Sequence, residues 1–330
     1  MPGGHWHGGP VRSMSGTAVA GTHHMHAIAA HTAQSWLLSG RAKRQSSTQM
    51  NRAFCEIDMT IRATLVTIGL LLAGAASAQE APVPDLDTGD AAGSGTRWTV
   101  GLGAGAFPDY QGSQDYTGAP LWNVRAQNLY HPDTYAQLFG PIFTSNLLPD
   151  SNFRLGPMAQ YIRKRGSVDN SKVDDMSNVD PSFMLGAILG YDFKLGEQRN
   201  LALEFLGRQD VANGNGFLGT LQATYRMPLG ETWRTSLGIE TSWASSDYMS
   251  SYFGVSSGDA RRSGLDEYDA DEGFKDLGAN LALTYLITPH WDVTGIGAYR
   301  RLLSDAEDSP VTKEGSANQW YGGLLFNYHF

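Results

Sequence analysis

From Trp98 to Phe330, apolar and polar residues alternate along the chain. In the last segment Trp320, Gly322, Leu324, Phe326, Tyr328 and Phe330 share one face, and Gln319, Tyr321, Gly323, Leu325, Asn327 and His329 share the other. A period of two sustained over ten or so positions is strand behaviour. The same alternation sets apart Phe183, Leu185, Ala187, Leu189, Tyr191 and Phe193, then Phe217, Leu221, Ala223, Tyr225 and Met227. It recurs with Trp233, Leu237, Ile239 and Trp243, and with Ala279, Leu281, Leu283, Tyr285 and Ile287. A soluble β-sandwich also alternates, with aromatics in its core. These segments, however, outrun the roughly five to six residues usual in soluble strands and match the roughly 9–11 that cross a bilayer. Aromatics fall at segment ends (Trp233 and Trp243, Phe183 and Phe193, Trp291 and Tyr299, Trp320 and Phe330), as in the two interfacial girdles of membrane barrels.

Connections alternate between short (near 131–133, 148–152, 195–199, 228–231 and 288–290) and long (107–118, 165–181, 210–216, 246–276 and 302–317). Short periplasmic turns and long outer loops have this rhythm. Counting back from a C-terminal strand that ends at the periplasm, parity requires an outward and an inward strand between 133 and 148, split at Gly140-Pro141. The expected fold is all-β, a closed antiparallel transmembrane β-barrel of about 12 strands with long extracellular loops. Pro157 lies within a strand that has no free edge to spare a donor, which predicts a bulge or a gap in the ladder beside Pro141. Glycines on the inward face (Gly101, Gly103, Gly105, Gly186, Gly190) relieve crowding in a narrow lumen.

Ahead of the barrel, Ala63–Ala76 is apolar but shorter than the roughly 20 residues a transmembrane helix needs. Arg62 precedes it and Ala76-Ser77-Ala78 follows, which predicts a signal peptide over 59–78 cleaved after Ala78, with Gln79 as the new N-terminus. No Cys follows that site, so no lipid anchor is expected. Residues 1–58 hold six of the nine His. They read as an upstream extension ahead of a start at Met59 (or Met50), with a metal-binding His tract as the other reading. Residues 79–96, acidic and rich in Pro and Gly, read as a flexible lead-in, leaving 97–330 for the barrel.

Of 330 residues, 41% are apolar, 17% charged and 39 are Gly, which excludes a disordered chain and a coiled coil. Residues 79–330 carry 18 basic and 31 acidic residues, a net charge of −13, so no surplus drives nucleic-acid binding. The one Cys, Cys55, lies upstream, which excludes a disulfide framework.

Candidate chemistry is sparse. His131 and His290 fall in short turns and His329 at the end of the last strand, so no His sits in a strand middle or outer loop to act as a base beside a nucleophile. No enzyme activity and no cofactor is expected. The acidic run 266–272 lacks the spacing of a calcium loop and reads as a solvated loop. The inward charges Glu204, Arg208, Arg226, Arg234, Glu240 and Arg300 suggest a paired network filling the lumen. The loop residues Tyr248, Tyr252, Phe253, Arg261, Arg262, Ser263, Tyr268, Lys275 and Asp276, with Asp109 and Tyr110, are candidates for an inward plug or a partner-binding surface.

The stretches GAGAFPDYQGSQDY (103–116), YMSSYFGVSSGDARRSGLDEYDADEGFKDLG (248–278), YRRLLSDAEDSP (299–310) and YGGLLFNYHF (321–330) resemble the MipA/OmpV family of outer-membrane proteins over essentially 97–330. Pro157 after a Gly also fits the family pattern. The resemblance implies a non-enzymatic role: a scaffold in the outer membrane of a Gram-negative bacterium that links a lytic transglycosylase to a peptidoglycan synthase. Relatives linked to osmotic or antibiotic response leave a narrow pore or a solute binder as the other reading. Outer-membrane lipid and lipopolysaccharide are expected partners, as is the barrel-assembly machinery, which would read the terminal Phe326, Tyr328 and Phe330.

Overall fold

The computed structural model describes residues 95–149, 151–196 and 198–330. The predicted extension, the signal peptide with its cleavage site at Ala76, Ala78 and Gln79, and nearly all of the lead-in lie outside these residues. The described chain forms twelve strands: β1 (Arg97–Pro108), β2 (Tyr116–Gln127), β3 (Tyr135–Phe139), β4 (Ile142–Asn146), β5 (Phe153–Ile162), β6 (Ser182–Lys194), β7 (Asn200–Asp210), β8 (Phe217–Leu229), β9 (Trp233–Ala244), β10 (Gly273–Thr288), β11 (Trp291–Leu302) and β12 (Asn318–His329). Each pairs antiparallel with its sequence neighbours, and β1 pairs with β12 from Thr99↔His329 to Ala106↔Gly322, closing the barrel. Closure satisfies the backbone where no water can. Among the described residues no helix is long and apolar enough to cross a membrane.

The predicted faces are realised. Leu189, Leu221, Ile239, Leu281, Leu324 and Phe326 are exposed on the outer wall, as a lipid-facing surface requires. Aromatics pack in pairs at both rims. Phe153–Tyr191, Trp233–Tyr285 and Trp291–Tyr328 line the short-turn mouth at centroid distances of 4.7–4.8 Å, and Tyr299–Trp320 stacks at 4.7 Å near the other.

The wall is uneven. Ten strands have 10–16 residues, but β3 and β4 have five each. The gap expected at Pro157 lies between β4 and β5, whose regular ladder is reduced to Ile142↔Gln160 and Phe143↔Ala159. Single backbone bonds flank it, Leu147 N donating to Leu155 O (2.9 Å) and Tyr161 N to Pro141 O (3.1 Å), and side chains fill in between. Ser145 Oγ donates to Pro157 O (2.8 Å), and Leu155 N donates to Asn146 Oδ1 (3.1 Å).

Candidate functional site

At the extracellular mouth the long loops fold inward as a plug. Helices α2 (Ser246–Phe253) and α3 (Ser257–Ser263) are each capped by a serine, Ser245 and Ser256, accepting from backbone amides. The α2 residues Tyr248, Met249, Tyr252 and Phe253 are buried against Met184, Leu218 and Leu302 on the inner wall. A second apolar cluster joins four loops through Tyr110, Val173, Val255, Leu265 and Val311, with α1 (Ser171–Asp174) and α5 (Pro310–Lys313) contributing and α4 (Ser304–Asp308) beside them. Polar bonds tie the loops of the plug to one another. Gln111 Nε2 donates to the Tyr248 hydroxyl (2.9 Å), Arg165 Nη1 to Tyr252 O (2.7 Å), and Ser309 Oγ to Phe253 O (2.6 Å).

The other candidate loop residues are spread over this lid. Asp109 accepts from the Asp169 amide and Ser263 Oγ donates to Asp259 O, while Tyr268 bridges to Val255 and donates to Asp305 O. Arg262 pairs with Asp259, and Arg261 is exposed. Lys275 and Asp276 are held differently. A register shift of β10 against β9 between Phe274 and Asp276 turns both side chains inward, the effect of a bulge. They pair at 2.7 Å, fully buried below the plug.

Sequence reasoning passed over Asp259, which pins α3 to the loop bearing Ser177. Its carboxylate accepts from Ser177 N (2.6 Å) and Ser256 Oγ (2.6 Å), and pairs with Arg262. Burial pushes its pKa up, but the bonds from Ser256 and Ser177 and the Arg262 charge outweigh that and hold it at about 2, from an ordinary 3.8. A depressed folded-state value means the stabilisation is complete above the ordinary value and is lost as the pH falls toward 2. Hydrogen exchange at the Ser177 amide, corrected for its intrinsic rate, is therefore expected to accelerate between pH 4 and 2. Asp259→Asn should be looser at neutral pH and flat across that window. Unchanged exchange in the wild type would refute the assignment.

The lumen holds a charge network whose geometry follows from strand register. Arg154, Gly190 and Glu204 lie side by side on β5, β6 and β7, and Glu240, Gly278 and Arg300 on β9, β10 and β11. In each row an ion pair reaches across a glycine: Arg154 Nη1–Glu204 Oε1 at 3.2 Å, and Arg300 Nε–Glu240 Oε1 at 2.6 Å. A Cβ on Gly190 would meet Glu204 Cγ at 2.8 Å, and one on Gly278 would meet Arg300 Cγ at 2.9 Å, so both rows need glycine at the centre. Asp192 adds bonds to Arg154 and Asn200, with Arg226 at 3.7 Å. Arg208 donates to Thr220. Arg234 sits apart at the short-turn rim, where it donates to Glu231 O and Trp233 O. Arg154 and Arg125, which the strand pattern did not single out, belong to the lumen as well.

At the short-turn mouth a polar cleft of about 170 Å³ is lined by Arg125, Asp133, Asn146, Arg154, Asp192 and Lys194. Beside it the closing seam is latched across three strands. Asp292 Oδ2 bonds His329 Nε2 (2.6 Å), and His329 Nδ1 bonds Thr99 Oγ1 (2.9 Å). Thr99 and His329 are register partners on β1 and β12, so the chain of bonds ties the two ends of the barrel. The terminal aromatics Phe326 and Tyr328 face outward on β12 and Phe330 is exposed just beyond it, with Tyr328 against Trp291 and Phe330.

One pattern match leads nowhere in three dimensions. Gly254–Gly258 (GVSSG) has the G-x-S-x-G spacing of a nucleophile elbow. Its Ser256 caps α3 and bonds Asp259, while His131, His290 and His329 all lie toward the opposite mouth. Among the described residues no cluster of His, Cys, Asp or Glu could hold a metal ion.

A family model described as MltA-interacting protein MipA matches residues 100–330. The chain is 27% identical to outer membrane protein OmpV of Vibrio cholerae, over 63% of this chain and 91% of that protein. It is 38% identical to outer membrane protein Omp26La of Vibrio anguillarum, over 27% of this chain and 33% of that protein. It is 27% identical to the MltA-interacting protein of Escherichia coli, over 37% of this chain and 49% of that protein. The chain thus spans a third of Omp26La and about half of the Escherichia coli protein. Among solved structures, the translocator domain of autotransporter NalP from Neisseria meningitidis aligns at a TM-score of 0.37 and 13% identity, over 74% of this chain and 91% of that one.

Proposed function

Because the chain belongs to the MipA family of MltA-interacting proteins, we propose that it is a non-enzymatic outer-membrane scaffold for peptidoglycan-remodelling enzymes, a lytic transglycosylase foremost. The observation that carries this reading is the asymmetry of the two mouths. The extracellular one is filled by a packed plug. The periplasmic one keeps a polar cleft with cationic and anionic groups side by side. Peptidoglycan and its enzymes lie on the periplasmic side, so their docking surface is the cleft and its rim, and the buried plug residues Tyr248, Tyr252 and Phe253 serve to close the barrel. A mixed-charge rim suits a protein surface, where charge complementarity sets specificity and encounter rate.

The test is capture of a purified lytic transglycosylase by the detergent-solubilised barrel. The double reversal Asp133→Lys with Lys194→Glu is expected to weaken capture by about tenfold, the scale of a few well-placed interface charges. Arg261→Glu, on the exposed outer side of the plug, should leave capture unchanged. Capture no better than that by an unrelated barrel would end the scaffold reading.

A further inference from the structure

Three short turns frame the polar cleft. The β2–β3 turn (128–134) supplies Asp133, the β4–β5 turn (147–152) supplies Ser151, and Lys194 and Asn200 flank the β6–β7 turn (195–199). The first turn is pinned. Asn128 and Asp133 take the left-handed conformation, with φ of 54° and 66°, which short polar side chains tolerate. Asn128 N donates to Thr134 O (2.8 Å), Thr134 Oγ1 to His131 O (2.6 Å), and Asn146 Nδ2 on β4 to Asp133 O (2.8 Å). Asp133 is thereby held at the exposed rim.

The floor of the cleft is cationic. Arg125 and Gln137 are register partners on β2 and β3, and Arg125 Nη1 donates to Gln137 Oε1 (2.6 Å). The Arg125 guanidinium lies over the Tyr135 ring, 4.2 Å from its centroid. Arg154 reaches the same ring from β5 at 5.9 Å, anchored by Asp192 and Glu204. Both arginines are buried, at 3% and 6% exposure, and both line the cleft. Two guanidinium groups on one ring repel each other, and an anion beside them relieves that repulsion. The planar fork of an arginine matches a carboxylate with two parallel bonds.

Among the described residues the lining has three cations (Arg125, Arg154, Lys194) and two acids (Asp133, Asp192). A cationic floor and an acidic rim thus face one void of about 170 Å³. Pockets for drug-sized ligands run to about 300–1,000 Å³. This smaller one suits a group the size of a single amino acid.

We propose that the cleft binds an α-amino-carboxylate group, with the carboxylate on Arg125 and the ammonium toward Asp133. Two sources carry that group into the periplasm: a free amino acid, and a cell-wall stem peptide whose diaminopimelate side chain ends in it. The inference goes beyond the scaffold reading, since its ligand is not an enzyme, and shares with it only the periplasmic placement of the cleft.

The test is calorimetric titration of meso-diaminopimelate into the detergent-solubilised full chain. Binding to the wild type is expected. Pimelate, the same skeleton without its ammonium groups, and cadaverine, without its carboxylates, should each bind about tenfold more weakly or worse. Asp133→Asn, in an exposed turn, should weaken diaminopimelate about tenfold, and Arg125→Gln about a hundredfold, in barrels that keep their heat-modifiable mobility. Competition identifies the source. Displacement by alanine marks a free amino acid, and displacement only by alanyl-γ-glutamyl-diaminopimelate marks the stem peptide. Displacement by neither would overturn the proposal. So would the absence of diaminopimelate binding to the wild type, pimelate binding as tight as diaminopimelate, or undiminished binding by folded Asp133→Asn. The probes contain no protein, so this site and the capture of a transglycosylase can fail separately.

Discussion

Gly103→Val is expected to abolish the folded barrel. Unboiled samples should lose the fast-migrating band of a heat-modifiable barrel and run as unfolded chain. Gly103 lies on β1 in the closing seam, paired with Leu325 on β12. A Cβ there would sit 1.8 Å from Leu324 O, 2.8 Å from Leu324 C and 2.9 Å from Leu325 Cα. These are backbone atoms of the partner strand, so no rotamer change relieves the clash, and the strands must separate where an open edge in lipid costs most. Valine adds a branch at the same carbon. Gly297→Ala on β11 is the control, because a Cβ there meets nothing within 4 Å. It should fold as the wild type does. A normal folded band for Gly103→Val would mean that the seam is looser than its register indicates.

Replacing residues 246–271 by a short turn should turn a silent barrel into a conducting one. Gly273 pairs with Ala244, so a turn of about four residues can close the β9–β10 hairpin. The replacement removes Tyr248, Met249, Tyr252 and Phe253 from the mouth and uncovers the buried Lys275–Asp276 pair. In planar bilayers the intact protein is expected to give no stepwise currents and the shortened one discrete openings. The charged rows of Arg154, Glu204, Glu240 and Arg300 remain in the lumen, so the openings should be small. Stepwise currents from the intact protein would favour the pore reading over the scaffold. The shortened barrel is also expected to be less stable, since each large apolar side chain removed from a packed core costs about 3–5 kcal/mol. Guanidinium unfolding in vesicles, followed by tryptophan fluorescence, would measure that loss.

The sequence by itself determined the barrel. Period-two alternation, the rhythm of short and long connections and the aromatics at segment ends sufficed for twelve strands, their faces and their directions, because a strand has one side chain per face every two residues and a closed sheet leaves no freedom in parity. Even the irregular place announced itself, since Pro157 cannot donate and its neighbours had to make up the bond. What only the tertiary structure decided depends on register and on loops. The partners of Arg154 and Arg300 are set by the stagger of three strands and by the glycines between them, Gly190 and Gly278, which look in sequence like simple relief of crowding. The inward turn of both Lys275 and Asp276 comes from a bulge that leaves no mark on the alternation. Between an inward plug and a partner-binding surface the sequence left the choice open, because loop residues have no period: Tyr252 buried in a mouth and Tyr252 offered to a partner are spelled alike, and the difference arises only when four loops, distant along the chain, meet over one closed wall.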